Sequence, residues 1–159
     1  MKRIKYTLLL LLTTIAITTG LTGCTQNNGD IGPWFGRWRV EKITCDGLDL
    51  DIYSGPEGLQ IASWAFQSNV VSLSAVYPHD VNCLAYGAWR QEGDRLLLDF
   101  TAFNDDSQSP GIYRPADVFH LEAGAVNVLT INSLTDSRMN LTHQSADGHL
   151  YQYYLKKLL

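Results

Sequence analysis

Ile61-Ala62-Ser63-Trp64-Ala65-Phe66-Gln67-Ser68-Asn69-Val70-Val71-Ser72-Leu73-Ser74-Ala75-Val76-Tyr77 is the stretch that decides the fold. Its side chains alternate with period two. Ala62, Trp64 and Phe66 share one face against Ser63 and Gln67, and Val71, Leu73, Ala75 and Tyr77 share one against Ser72 and Ser74. Successive side chains on a strand point to opposite faces, so this pattern reads as two half-buried strands turned at Ser68-Asn69. A helix would gather its apolar residues on one stripe with a period of 3.6, whereas Ser72 and Ser74 here alternate with Val71, Leu73 and Ala75.

The same rhythm runs outward in both directions. Toward the N-terminus, Arg37 to Thr44 opens the series after Gly36. Toward the C-terminus, Leu84 to Gln91 passes through Glu92-Gly93-Asp94 into Arg95 to Phe103, with Leu96, Leu98 and Phe100 on one side. A short strand is expected near Val118 to Glu122. Val126 to Ser133 and Arg138 to Gln144 form a hairpin around Thr135-Asp136, and Ala146-Asp147-Gly148 turns into a last strand, His149 to Lys157. Asp-Gly between alternating runs is a strong hairpin signal. Gly55 to Ile61 holds a helical turn at most, and no segment carries an amphipathic helix of ordinary length. Eight or nine strands joined mainly by hairpins predict an all-β, antiparallel up-and-down meander. Closing it into a barrel removes its exposed edges, and a β-sandwich is the alternative.

The first two dozen residues are processing signal rather than fold. Lys2, Arg3 and Lys5 precede an apolar run from Leu8 to Ile17, which ends in Leu21-Thr22-Gly23-Cys24. That is the three-part layout of an export signal. The run is diluted by threonines and falls short of the roughly 20 apolar residues a spanning helix needs. The closing tetrapeptide resembles the lipobox of bacterial lipoproteins. The resemblance implies cleavage before Cys24 and lipidation of its thiol. Residues 1–23 are then the signal peptide, 24–32 a lipidated N-terminus and polar tether, and 33–159 the folded domain. The expected location is the cell envelope, and the outer membrane in a cell that has two. Two acyl chains or more are needed for stable attachment, and a lipoprotein N-terminus supplies them.

Removing 23 of 159 residues leaves 136, the size of one domain. The leader holds three of the 12 basic side chains and none of the 16 acidic ones, so nine face sixteen in the remainder, a net charge of −7. Such a surface excludes nucleic acid as a partner, because phosphate binding needs clustered Lys and Arg. Two further cysteines, Cys45 and Cys83, form an even pair in an exported chain and are candidates for a disulfide. Two free thiols are the alternative.

Gly36-Arg37-Trp38, preceded by Trp34-Phe35, is similar to the G-x-W of the lipocalin superfamily. Trp89 to Leu98 and Arg138 through Tyr153-Tyr154-Leu155-Lys156-Lys157 extend the likeness. Together they resemble the lipocalin-like domains of lipoproteins from Bacteroides and its relatives, over roughly Pro33 to Lys157. The resemblance implies a barrel plugged at one end by Gly36 and Trp38, with Lys156 or Lys157 packed on the tryptophan. It also implies a small apolar or amphiphilic ligand.

Trp64, Trp89, Tyr77 and Tyr86 are the candidate pocket lining, since aromatic walls suit such ligands. His79, His120, His143 and His149 show no metal-like spacing, although His143 and His149 flank one turn. Neither cysteine has a second ligand at zinc-like spacing, so no metal or cofactor is expected. Asp46, Asp49 and Asp51 lack the pattern of a calcium loop, and Asp105-Asp106 reads as a solvated turn. Asn140-Leu141-Thr142 matches a glycosylation sequon that a bacterial chain would rarely use. No nucleophile sits in a catalytic motif, so no enzymatic activity is expected. A hydrolase would need two carboxyls converging in a cleft. The other reading is an envelope interaction or inhibitor module with a filled barrel. It would work through loops such as Gly55–Gln60 and Asn104–Pro115, with Tyr113, Pro110 and Pro115 at its centre.

Overall fold

The computed structural model describes residues 31–101 and 114–158. The expected leader, Cys24, most of the expected tether, Phe103, Asp105-Asp106, Pro110 and Tyr113 lie outside the described residues. The chain divides into two units, and the second, Ile31–Leu159, carries the fold.

Among the described residues nine strands follow one another: β1 (Gly36–Cys45), β2 (Leu48–Asp49), β3 (Ile61–Gln67), β4 (Val70–Val76), β5 (Asn82–Glu92), β6 (Arg95–Asp99), β7 (Val126–Leu134), β8 (Arg138–Gln144) and β9 (Leu150–Lys157). From β3 to β9 each strand pairs antiparallel with the next. β1 pairs with β3 on one side and β9 on the other, so eight strands close into a barrel. β2 is a two-residue appendage on the far end of β1, beyond the residues that meet β3. The alternation read from the sequence is the alternation of inside and outside. Trp38, Val40, Ala62, Trp64, Phe66, Val71, Leu73, Leu96, Leu98, Leu129, Met139, Leu141, Tyr153 and Leu155 are buried within.

Two bulges keep that phase. On β1 the register slips between Val40 and Lys42, so Val40 and Ile43 are both buried although they stand three positions apart. A bulge inserts one unpaired residue and returns the following side chains to the same face. On β7 the slip lies between Ile131 and Ser133, where Thr142 Oγ1 donates to Asn132 Oδ1 at 2.7 Å. Inside β5, Gly87 allows a close approach: a Cβ there would stand 2.7 Å from Phe100 Cε1 and 2.8 Å from the Asp99 carbonyl.

One end of the barrel is sealed by aromatics. Trp38 is fully buried, and its Nε1 donates to the Trp34 carbonyl at 3.0 Å. Lys157 is the cation that covers it: Nζ stands 4.9 Å from the Trp38 ring centroid and donates to the Pro33 carbonyl at 2.8 Å. Trp34 sits between Phe66 and Trp89, with centroids 5.1 and 5.2 Å away, and donates from Nε1 to Gln91 Oε1 at 2.9 Å.

The strand expected at Val118 to Glu122 is not formed. Asp117–Phe119 is a single 3-10 turn, and His120 follows in the left-handed region with φ 50°. Its amides close back on the segment itself, Phe119 N to the Ala116 carbonyl and His120 N to that of Asp117. They are therefore not free to join a ladder. Gly55 to Ile61 likewise forms turns without a helix.

Candidate functional site at the open end

The open end is set by where the strands begin and stop: β1 and β4 end there, and β5 and β9 start there. Across it runs a strap, residues 114–122, held at three points. Phe119 is fully buried and meets Trp64 edge-on at 6.1 Å between centroids, and Trp64 in turn packs on Tyr153 at 5.2 Å. The Tyr153 hydroxyl donates to the Phe119 carbonyl at 2.8 Å. Burial pushes that phenol far above its ordinary range, so it stays a donor at any physiological pH. Further along, buried Asn127 grips the backbone of Glu122, accepting from its N–H at 2.7 Å and donating to its carbonyl at 2.9 Å. His120 stacks on Tyr151 with centroids 4.4 Å apart and planes 12° from parallel. Burial lowers the His120 pKa against the pull of Asp117 and Asp147, which favours the neutral ring in that stack.

The strap leaves a cleft on either side. The larger, about 500 Å³, lies between residues 114–117 and the start of β5. Its apolar wall is Tyr77, Val81, Leu84, Pro115 and Ala116, and its polar groups are Asn82, Cys83, Arg114 and Asp117. Arg114 and Asp117 face each other at 3.6 Å on the exposed rim. Burial, then the neighbouring Cys83 and Asp117, raises the Tyr77 pKa, which keeps its hydroxyl protonated. The smaller cleft, about 340 Å³, is lined by His120, Glu122, Asp147 and Tyr151 among others.

Of the four aromatics expected to line a pocket, Tyr77 lines the larger cleft. Trp64 is a core residue with no exposed surface, so no water-sized space touches it, and its indole N–H has no hydrogen-bond partner among the described residues. Trp89 belongs to the sealed end, packed against Trp34 and Phe66. Tyr86 pairs in register with Ser72 on the outer face and is 40% exposed. Strand parity could not separate the open end from the sealed one, because inward positions at both ends carry the same pattern. The strap was hidden for a different reason: Phe119 enters the barrel from a segment whose sequence reads as a strand but which forms a 3-10 turn.

The expected disulfide is not formed. Cys45 and Cys83 are free thiols, the first half-buried and the second exposed. They sit on β1 and β5, which have β3 and β4 between them in the sheet. A bridge needs Cα atoms roughly 4.4–6.8 Å apart, little more than one strand spacing of about 4.8 Å.

The histidines separate as well. His143 is buried, with Nδ1 3.0 Å from the Val128 carbonyl, whereas His149 turns out to the rim, with Nδ1 2.7 Å from Asp46 Oδ2. Of the loosely calcium-like aspartates, Asp49 pairs with Lys42 at 3.0 Å. The spacing rule that gave neither cysteine a metal partner holds along the chain but not in space. Cys45, Asp46 and His149 bring their donor atoms within 4.8 Å of one another.

No protein-family model and no curated protein matches the chain in sequence. Solved structures do match in fold. A lipocalin-like protein from Bacteroides uniformis aligns with 14% identity over 80% of this chain and 100% of its own, with a TM-score of 0.53. An uncharacterized protein from Bacteroides eggerthii aligns with 15% identity over 79% and 99%, with a TM-score of 0.50. At such identities the likeness establishes the fold, a lipocalin-like barrel. The ligand has to be argued from this chain's own residues.

Proposed function

We propose that this chain is a lipid-anchored binding protein that takes a small apolar or amphiphilic molecule in the larger cleft at the open end of its barrel. The carrying observation is the cleft itself. At about 500 Å³ it falls within the roughly 300–1,000 Å³ usual for small-molecule sites. Its lining joins an apolar wall to one cation, one anion, an amide and a phenol, a set suited to a ligand with a greasy body and a polar head. The packed interior around Trp64 and Phe119 offers no equivalent room, so the ligand rests on the strap instead of filling the barrel. The anchoring half of the reading is supported by the leader and by Leu21-Thr22-Gly23-Cys24.

The test is a titration of the purified full-length chain with 1-aminoanthracene, an apolar fluorophore, followed by displacement with lauric acid. Ala116→Trp, which fills the cleft, should weaken probe binding at least about tenfold, or about 1.4 kcal/mol. Tyr86→Ser on the outer face should leave it unchanged. Equal affinity in the parent and Ala116→Trp proteins would refute the site. Anchoring is read separately: Cys24→Ser should abolish palmitate incorporation and shift the chain out of the membrane fraction.

A second reading, an envelope interaction module, is favoured by the outer wall of the barrel. The registers Ile61–Val76–Asn82, Ser63–Ser74–Leu84, Ala65–Ser72–Tyr86 and Gln67–Val70–Ala88 place one outer face across β3, β4 and β5 with no charged residue in it. Retention of function in a cleft-filled variant would favour this reading.

A further inference from the structure

We propose that Cys45, Asp46 and His149 form a zinc site on the rim of the barrel, with a fourth position left to water. The three residues come from two strand ends that only the closed barrel unites: Cys45 ends β1 and Asp46 follows it, and His149 precedes β9, with Cys45 opposite Tyr151 in the ladder. Their donor atoms are a thiol sulfur, a carboxylate oxygen and an imidazole nitrogen, all within 4.8 Å of one another. Donors on one tetrahedral zinc stand about 3.3–3.6 Å apart, given bonds of about 2.0–2.3 Å. Asp46 Oδ2 is already 2.7 Å from His149 Nδ1 and 3.9 Å from Cys45 Sγ. Side-chain adjustments in a half-exposed cluster close the remaining difference.

The cluster is also oriented as a metal site is. Asp46 sits in the left-handed region at φ 51°, and its other oxygen, Oδ1, accepts from the Leu150 amide at 2.9 Å. That bond holds the carboxylate plane and leaves Oδ2 to point at the sulfur and the imidazole. Hydrogen bonds of this kind behind a ligand fix its orientation and raise its affinity for metal. A thiolate and a carboxylate supply two negative charges, which balance a divalent ion. A donor set of sulfur, nitrogen and oxygen suits zinc, whereas magnesium and calcium take oxygen ligands. On binding, the Cys45 thiol proton leaves to solvent, and the His149 Nδ1 proton either leaves with it from an imidazolium or is replaced by one on Nε2, so the ligand ring is neutral. Bonds from sulfur, oxygen and nitrogen to the metal then form. No oxidant or reductant is required.

The experiment uses the full-length, untagged chain in a Cys24→Ser background, reduced and stripped with chelator. Zinc chloride is added in a calorimeter, and cobalt chloride in a spectrophotometer. One zinc per chain is expected, together with a thiolate-to-cobalt charge-transfer band in the near ultraviolet. Cys45→Ser should remove the band, and His149→Ala should weaken zinc on the order of 100-fold, the upper range for disturbing even an outer partner. Cys83→Ser should change neither readout. None of the three positions is buried, and far-ultraviolet circular dichroism checks that each variant folds. Three outcomes would overturn the site: zinc binding that persists in both Cys45→Ser and His149→Ala, no binding by the folded reduced chain, or a Cys45–Cys83 bridge in the chain as the cell makes it.

Discussion

The hydroxyl of Tyr153 donates to the backbone carbonyl of Phe119 at 2.8 Å, inside the barrel and across 34 positions of sequence. This bond joins the last strand to a segment with no strand pairing, and with the Asn127 clamp it makes the strap part of the barrel. Tyr153→Phe leaves a buried carbonyl without its donor, which costs about 1–3 kcal/mol. The expected result is a lower urea midpoint with an unchanged slope, and faster amide exchange at the strap while β3 and β4 keep their protection. Unchanged exchange at the strap would show that Phe119 is held by packing alone.

The sealed end depends on Lys157 in two ways, through its charge over Trp38 and its bond to the Pro33 carbonyl. Lys157→Met keeps most of the stem and removes both. The expected loss is about 1–2 kcal/mol, from one cation–π contact and one charged hydrogen bond. Lys156→Met is the control, since neither contact involves it. Equal losses in the two variants would count against this assignment.

Gly87 tests the packing of the interior. A methyl group there meets Phe100 and the Asp99 carbonyl well inside contact distance, so Gly87→Ala should cost about 1–3 kcal/mol as an overpacking change. Adding Phe100→Leu should recover part of the loss by relieving the aromatic contact, while the backbone contact remains. Additive losses in the double variant would mean the two residues do not meet.

Two histidines on the same rim should respond to pH in opposite directions. The His149 pKa is raised, first by its hydrogen bond to Asp46 and then by the nearby Asp147. Its contribution is full below the unfolded imidazole value near 6.5 and is lost as pH rises through the raised value. The Asp46 pKa is lowered, by the Leu150 amide first and then by His149, so its contribution is lost on acidification. The pair is therefore most stabilising between about pH 4 and 6.5. His120 has a pKa lowered by burial, so its contribution is present above about 6.5 and is lost as pH falls through the lowered value. Differences in Tm between parent and His149→Gln should shrink on going from pH 5 to pH 8, and those between parent and His120→Gln should grow.

Much of the architecture is legible residue by residue. Arg138–Gln144 is a strand with the limits its alternation implies, and the Ser68-Asn69 turn and the Gly93 hairpin lie where turn chemistry puts them. The β1 bulge at Glu41 and the two-residue β2 are not legible, because each depends on which strands lie alongside. The same holds for the site. Tyr77 and the residues around it at the start of β5 sit in the cleft, but half of the cleft belongs to the strap.

Sequence by itself determined the fold class, the order of the strands and which side chains face inward, because a period of two is a local property of each strand. It also marked Trp38, since the Gly36-Arg37-Trp38 triplet is carried by contiguous residues. Only the tertiary structure decided which inward aromatics belong to the core and which to the open rim. It chose Lys157 over Lys156 to cover Trp38, inserted Phe119 as the plug, and brought His149 to Asp46 across 103 positions. The physical reason is closure. Once β1 meets β9, the register of that one ladder sets which distant residues share an end, and no local pattern encodes it.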